Sequence, residues 1–308
     1  MIAALIAGGC GTPADQNDKN QLLETDNSKV KIGVFIAQNG NEFTSAIGTS
    51  AKERGEELGY DVSLFDGKSD QNTQIEQIEC CIMQDYSAMI IEPVSYSGLN
   101  SVFLDALNAG ITVVTINQTC EIQEQLTSFV GTDREDASYW EAKTALEAIG
   151  GTGKVCILRG QAGTSGEVEC SDGFERALAE YPDVEVLESQ SADWHTDAAL
   201  EITETWLQKY VHIDAILAQD DPMALGAIQA CIGAGRQDIV ITGHNGDSAA
   251  LAAIQNGQML LTGKSDPEGM GRIAAEVADC AARGESVDPE YKTSTAIITA
   301  DNVINFLD

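Results

Sequence analysis

At 308 residues the chain is longer than a single hydrophobic core ordinarily supports, so two lobes are expected. Acidic residues outnumber basic ones by 49 to 17, a formal charge of −32, which excludes a surface built to meet nucleic-acid phosphates or anionic lipid. The charge is spread along the chain and 43% of residues are hydrophobic, so the composition calls for a folded core and not a disordered acidic tail.

The first ten residues are apolar and close on Ala7, Gly8 and Gly9 ahead of Cys10. That pattern is similar to the end of a bacterial lipoprotein signal, in which Cys10 is lipidated after cleavage; a disordered start is the alternative. A positive n-region is missing and the apolar run is short, so either the start lies upstream or the segment is truncated. Residues 11–28, rich in Asn, Asp, Gln and Thr, read as a flexible tether. No later stretch is apolar for long enough to span a bilayer.

From residue 30 strand and helix signals alternate. Strands are expected at 30–37, 62–65, 88–91 and 112–116, and helices at 43–58, 73–84 and 98–109, with Gly59 and Gly110 closing two of them. After a break the alternation resumes: helix 136–149, strand 154–158, helix 171–180, strand 184–189 and helix 196–209. Strands at 239–242 and 260–263 flank a helix at 248–256. A helix at 266–284, a strand at 295–299 and a short element at 303–307 end the chain. Strand and helix alternating over short connections make a parallel sheet with helices on both faces, here twice over: an α/β chain of two doubly wound lobes.

Within the second half, Ala215 to Ala218 is an apolar run fit for a strand buried on both faces, and Met223, Ala224, Ala227, Ile228 and Cys231 recur at helical spacing. Pro222 suits a first helical position, which makes Asp221 the expected N-cap and leaves Asp220 without a structural task. A residue just past the carboxyl end of a parallel strand lines the crevice where ligands bind, so Asp220 is a candidate contact; a favourable partner of the helix dipole is the alternative.

Eight cysteines include no Cys-x-x-Cys pair. Most read as small buried side chains, with a disulfide from Cys120 left open. His195, His212 and His244 lack metal-ligand spacing, and Ser165 lies outside any Gly-x-Ser-x-Gly elbow. No enzyme activity, metal or cofactor is expected. Gly160, Gly163 and Gly166 have neither dinucleotide nor P-loop spacing and read as a tight turn.

The chain resembles the ribose- and galactose-binding protein family from about Lys31 to its end. The carriers, in order, are Gly59-Tyr60, Ile91-Glu-Pro93, Gly160-Gln-Ala-Gly-Thr-Ser165, Asp172-Gly-Phe174, Ala192-Asp-Trp194, Ala218-Gln-Asp-Asp-Pro-Met-Ala-Leu-Gly226 and Gly243-His-Asn-Gly246. The resemblance implies a type I periplasmic binding protein fold, with lobes joined by three hinge segments near Thr132-Asp133, Ser265-Asp266 and Ser294-Thr295. It divides the chain into 1–29 (signal remnant and tether), 30–132 plus 266–294 (first lobe) and 133–265 plus 295–308 (second lobe).

The resemblance also implies a site between the lobes, where aromatic rings stack on sugar C–H faces and planar polar groups meet hydroxyls. Carried over by position, Asn41 and Phe43 match the family, Thr44 replaces a second aromatic, and Glu92 is a polar position before Pro93. Asn117 and Gln118 stand where many relatives have Asp-Arg, and Val168 where a sugar-gripping arginine is expected. Trp194 takes a stacking position. Asp220 replaces an asparagine, His244 and Asn245 replace an apolar or aromatic residue followed by aspartate, and Ser265 replaces a glutamine or asparagine.

The aromatic clamp is thus expected to persist while both arginines are lost. A cleft lined by Asp220, Glu92 and Glu167 or Glu169 without a cation would repel anions, favouring a neutral hexose, pentose or polyol, with an amino sugar or other cationic solute as the alternative. The implied function is an extracytoplasmic solute receptor delivering a monosaccharide or polyol to ABC permease subunits. The alternative is a sensory receptor subunit for an amino sugar, nucleoside or autoinducer-type sugar. The expected state is a monomer that meets the membrane only through a lipid anchor, on the outer face of the cell membrane, or one in the periplasm.

Overall fold

The computed structural model describes residues 30–307. The lipidation expected at Cys10 and the tether expected over 11–28 lie outside the described residues. In chain order, β1 (Lys31–Ile36) leads to α1 (Glu42–Glu57), β2 (Asp61–Asp66), α2 (Gln71–Met83), β3 (Ala88–Ile91), α3 (Asn100–Asn108), β4 (Thr112–Ile116) and β5 (Ser128–Thr132). After these come α4 (Arg134–Ala148), β6 (Gly153–Arg159), α5 (Ser165–Leu178), β7 (Val184–Ser191), α6 (Thr196–Lys209), β8 (Ala215–Ala218) and α7 (Asp221–Gly233). Last are β9 (Val240–Asn245), α8 (Ser248–Gln255), β10 (Leu261–Lys264), α9 (Pro267–Ala282), β11 (Glu290–Thr293) and β12 (Ala296–Thr299).

Two six-stranded sheets result, ordered β11-β5-β4-β3-β1-β2 and β12-β10-β9-β8-β6-β7. Every pairing is parallel except β12 against β10. The central strands β3 and β8 are buried along their whole length, as continuous apolar runs in a sheet covered on both faces must be. In the first sheet α1 and α9 cover one face through Ile47, Ala51, Met270 and Ala274, while α2 and α3 cover the other through Ile78, Val102 and Phe103. In the second, Trp206, Met223 and Leu251 pack from α6, α7 and α8, and Leu146 and Phe174 from α4 and α5 on the opposite face. Each such large side chain contributes about 1.5–3 kcal/mol by leaving water.

The chain crosses between the sheets three times: from β5 into α4, from β10 into α9, and between β11 and β12. Neither sheet is therefore contiguous in sequence. No helix among the described residues is long and apolar enough to cross a membrane. The seven described cysteines are all free: Cys81, Cys120, Cys156, Cys170 and Cys231 are buried, Cys280 is half-buried and Cys80 is exposed.

Two strands carry no clear signal in the sequence. β5 (Ser-Phe-Val-Gly-Thr) has no alternation, because β4 and β11 hold it inside the sheet; β11 (Glu-Tyr-Lys-Thr) is a polar edge strand. The helix expected at 171–180 begins instead at Ser165, since Thr164 caps it by accepting from the backbone N–H of Glu167. The short element expected at 303–307 is a single 3-10 turn, Val303–Asn305.

Candidate functional site

In a parallel sheet each strand delivers its carboxyl end to the amino end of the next helix. Residues that cap helices and residues that face the crevice are therefore drawn from the same short loops. Here the carboxyl ends of the two sheets face each other across a cleft lined by residues of both.

The first wall starts at Asn41. Its Oδ1 caps α1 by accepting from Thr44 N at 2.8 Å, and Thr44 Oγ1 donates to Gln38 O at 2.6 Å. Phe43, on the first turn, is buried against the core and lines the cleft. Past the end of β3, Glu92 is 1% exposed. Its Oε2 accepts from Ala37 N at 2.9 Å and its Oε1 from Asn117 Nδ2 at 2.6 Å. Gln74 Nε2 donates to the Glu92 carbonyl at 2.9 Å and fixes the strand end. Asn117 Oδ1 in turn accepts from Arg134 Nη2. Burial raises the Glu92 carboxyl above its ordinary range, and the Ala37 N–H, the Asn117 amide and the Arg134 charge draw it part of the way back.

The second wall is built on constrained backbone. Trp194 lies in left-handed space at φ +67°, directly after Asp193 at +53°. Its ring lies so close on Gly160 that a Cβ there would overlap the indole, so glycine is required by the close approach. Ser191 Oγ holds the turn by donating to the Gly160 carbonyl and contacting Asp193 Oδ1, each at 2.6 Å. Ser69, Asn117 and Asn245, at φ +54°, +62° and +122°, also line the cleft. Non-glycine left-handed residues gather where a surrounding structure over-determines them, characteristically at ligand sites.

The cap expected of Asp221 is supplied by Asp220, which also keeps its expected place in the cleft. Asp220 is the N-cap of α7, Oδ1 accepting from Met223 N at 2.9 Å, and it also lines the cleft. Pro222 has no N–H to give, so the cap reaches Met223 instead. Asp221, fully buried beneath, accepts from Gly246 N at 2.8 Å, Asp247 N at 2.8 Å and Thr262 Oγ1 at 2.7 Å, tying α7 to the ends of β9 and β10. Burial pushes the Asp220 carboxyl up to about 8; the Met223 N–H draws it down, Asp247 pushes it further up and Arg134 draws it down.

The lobes touch on both rims of the cleft. Glu42 on α1 accepts from Ser248 Oγ at 2.7 Å at the start of α8. On the other rim Tyr96 N donates to Gly163 O and Thr119 N to Ser165 Oγ, both at 2.8 Å. This is a closed arrangement.

Of the residues singled out in the sequence, Asn41, Phe43, Thr44, Glu92, Asn117, Gln118, Trp194, Asp220 and Asn245 line the cleft. Val168, His244 and Ser265 do not. Because α5 starts at Ser165, Val168 falls on that helix's first turn, where it is 49% exposed beside a separate surface depression with Arg159 and Phe174. β9 runs on to Asn245, and successive strand residues face opposite ways, so Asn245 meets the cleft while His244 turns into the protein. There His244 Nδ1 lies 2.6 Å from Glu141 Oε1 and its Nε2 3.4 Å from Ser265 Oγ. Ser265 is buried at the crossing into α9, 3.3 Å from Thr295 Oγ1.

The expectation of a cleft without a cation is overturned by Arg134, which lines it from the first residue of α4 and is only 6% exposed. Glu167 pairs with Arg159 at 3.0 Å, and neither it nor Glu169 is among the lining residues. Gln38, Gln161 and Thr164 line it as well. Arg134 follows the hinge residue Asp133 and carries no local signal of its own, because only the crossing between sheets aims it at the cleft.

The model of a periplasmic binding protein domain matches residues 32–286. The chain belongs to the periplasmic binding protein family. Among curated relatives, a xylitol-binding protein of Mycolicibacterium smegmatis is 32% identical over 97% of this chain and 82% of its own length. The ribose import binding protein of Bacillus subtilis is 29% identical over 83% of each chain. An ABC transporter solute binding protein from Bacillus halodurans with bound myo-inositol superposes with a TM-score of 0.87 at 27% identity, covering 91% of this chain and 98% of that one. Members of this family are solute-binding proteins of ribose type, and the two parallel-sheet lobes described above are their fold.

Proposed function

We propose that this periplasmic binding protein is an extracytoplasmic receptor that shuts on one neutral polyol or monosaccharide and presents the closed form to an ABC importer. The observation that carries the reading is the cleft: two aromatic rings, Phe43 and Trp194, set among buried amides and acids. The relatives point the same way, since two are named for xylitol and ribose and a structural neighbour holds myo-inositol. Neutral ligands are favoured because the Glu92 carboxylate is already matched by Asn117 and Arg134, while burial disfavours charge on Asp220.

In this reading the ligand-contacting set is Asn41, Phe43, Thr44, Glu92, Asn117, Gln118, Trp194, Asp220 and Asn245, joined by Arg134. Residues 30–132 with 266–294 move against 133–265 with 295–307 as rigid lobes. The protein acts as a monomer, tethered through Cys10, and it carries solute without transforming it. Glu42, Ser248, Tyr96 and Thr119 meet their partners only when the lobes are shut, so a permease or a sensor can read closure from the rims.

A thermal-shift screen against xylitol, ribose, myo-inositol, hexoses, amino sugars and uronic acids tests this. A ligand of the closed form at one hundred times its Kd adds about 2.7 kcal/mol to stability. Stabilisation by a neutral polyol or sugar is expected. Stabilisation by uronic acids alone, or turnover of any compound, would sink the reading.

A further inference from the structure

Arg134 is the single cationic side chain lining the cleft among the described residues. Its backbone opens α4, just after the chain has crossed to the second sheet, while its Nη2 donates back to Asn117 at the end of β4 in the first. On its other side the guanidinium packs against the start of α5, where a Cβ on Gly166 would come within 3.5 Å of Cζ. The side chain thus spans both walls and is held in place by the relay from Ala37 N through Glu92 and Asn117.

What it leaves open is informative. Among the described residues Arg134 Nε is buried with no hydrogen-bond partner, and so is Gln118 Oε1 in the same cleft. One is a donor and the other an acceptor. A carboxylate or phosphate, which accepts only, satisfies the arginine and leaves the amide oxygen unpaired; a hydroxyl both donates and accepts and satisfies either. Arginine's planar fork holds two oxygen acceptors at once, and a vicinal diol offers two.

We propose that Arg134 is the specificity-determining residue of the cleft, gripping a vicinal pair of ligand hydroxyls and selecting them over an acid group. This rests on the reading of the cleft as a polyol or sugar site. The sequence gives it no motif: the guanidinium arrives just past the end of β5, where the chain crosses between the sheets.

The test is calorimetric titration of wild type, Arg134→Gln and Arg134→Lys with xylitol, ribose and myo-inositol, each paired with an analogue lacking one hydroxyl. Arg134→Gln should weaken the parent compound by about 10- to 100-fold. It should also bring parent and deoxy analogue within about threefold of each other for the hydroxyl that Arg134 holds, because deleting either partner removes the same contact. A residue that merely supports the hinge would lower both affinities and preserve their ratio, which would overturn the proposal. If Arg134→Gln fails to fold, Arg134→Lys decides: it keeps the charge without the fork, and an unchanged parent-to-deoxy ratio overturns the proposal. Wild type stabilised by no neutral sugar or polyol of the thermal-shift screen overturns the underlying reading too; wild type binding one of them with Arg134→Gln unaffected overturns only the assignment of Arg134.

Discussion

The two walls of the cleft each bury an acid, and they stabilise it in opposite ways. Glu92 on the first wall is enclosed by donors: a backbone N–H, the Asn117 amide and, through it, Arg134. Asp220 on the second has one backbone N–H from its own helix and the like charge of Asp247 nearby, with Asp221 buried beneath. Burial raises both, but the first is drawn back by two amide donors and a cation, whereas the second is pushed on to about 8, toward its neutral form, in which it can donate to a ligand as well as accept. Burial alone thus does not determine the character of an acid. The neighbours brought by the tertiary fold do.

The contrast is most severely tested on the first wall. Glu92→Leu removes the acceptor for Ala37 N and Asn117 and leaves Arg134 buried without its counter-charge. Loss of one partner of a buried charge network costs about 3–5 kcal/mol, so urea unfolding should show a collapse of that order. A loss below about 1 kcal/mol would mean that the network does not hold the wall.

On the second wall the expected signature is pH dependence. The Asp220 carboxyl is raised to about 8 in the closed cleft, against an ordinary value near 4 when the lobes open to water. Closure therefore takes up a proton. Its contribution is fully present below the open-state value and is lost as pH rises toward about 8, by up to tenfold per pH unit. Ligand affinity measured from pH 5 to 9 should fall with rising pH in wild type and stay flat in Asp220→Asn, which keeps a good helix cap. A flat wild-type profile would show that closure does not move the Asp220 carboxyl.

Gly160→Ala probes the packing of that wall with no change of charge. The added methyl displaces the Trp194 ring, and affinity should drop by about tenfold, the scale of one aromatic contact, while the unfolding temperature changes little. An affinity equal to wild type would remove Trp194 from the site. Smallest of all is the rim: Glu42→Ala removes an exposed clasp to Ser248, worth about 0.2–1 kcal/mol, so affinity should fall by no more than about fivefold, mainly through faster release.

Much of the architecture is legible in the chain, because hydrophobic periodicity and turn residues are local properties. β3, β4, β8 and α6 lie where the pattern places them to the residue. β5 and β11 are not legible, since a glycine-containing interior strand and a polar edge strand owe their conformation to the neighbours they pair with. The Asp220 and Asp221 assignment shows the same boundary: the need for a cap after β8 and an acid facing the cleft are written in the sequence, but which of the two adjacent acids caps the helix depends on the end of β9 and on Thr262 of β10, which claim Asp221.

By itself, then, the sequence determined two doubly wound lobes, a chain that passes between them, an acidic surface and most of the polar and aromatic positions facing the cleft. Only the tertiary structure decided that Val168, His244 and Ser265 point elsewhere and that Arg134 enters. The physical reason is that strand and helix period are fixed by covalent geometry within a few residues, whereas the direction of a side chain at a strand end or a hinge is settled by where a helix starts and what packs beside it.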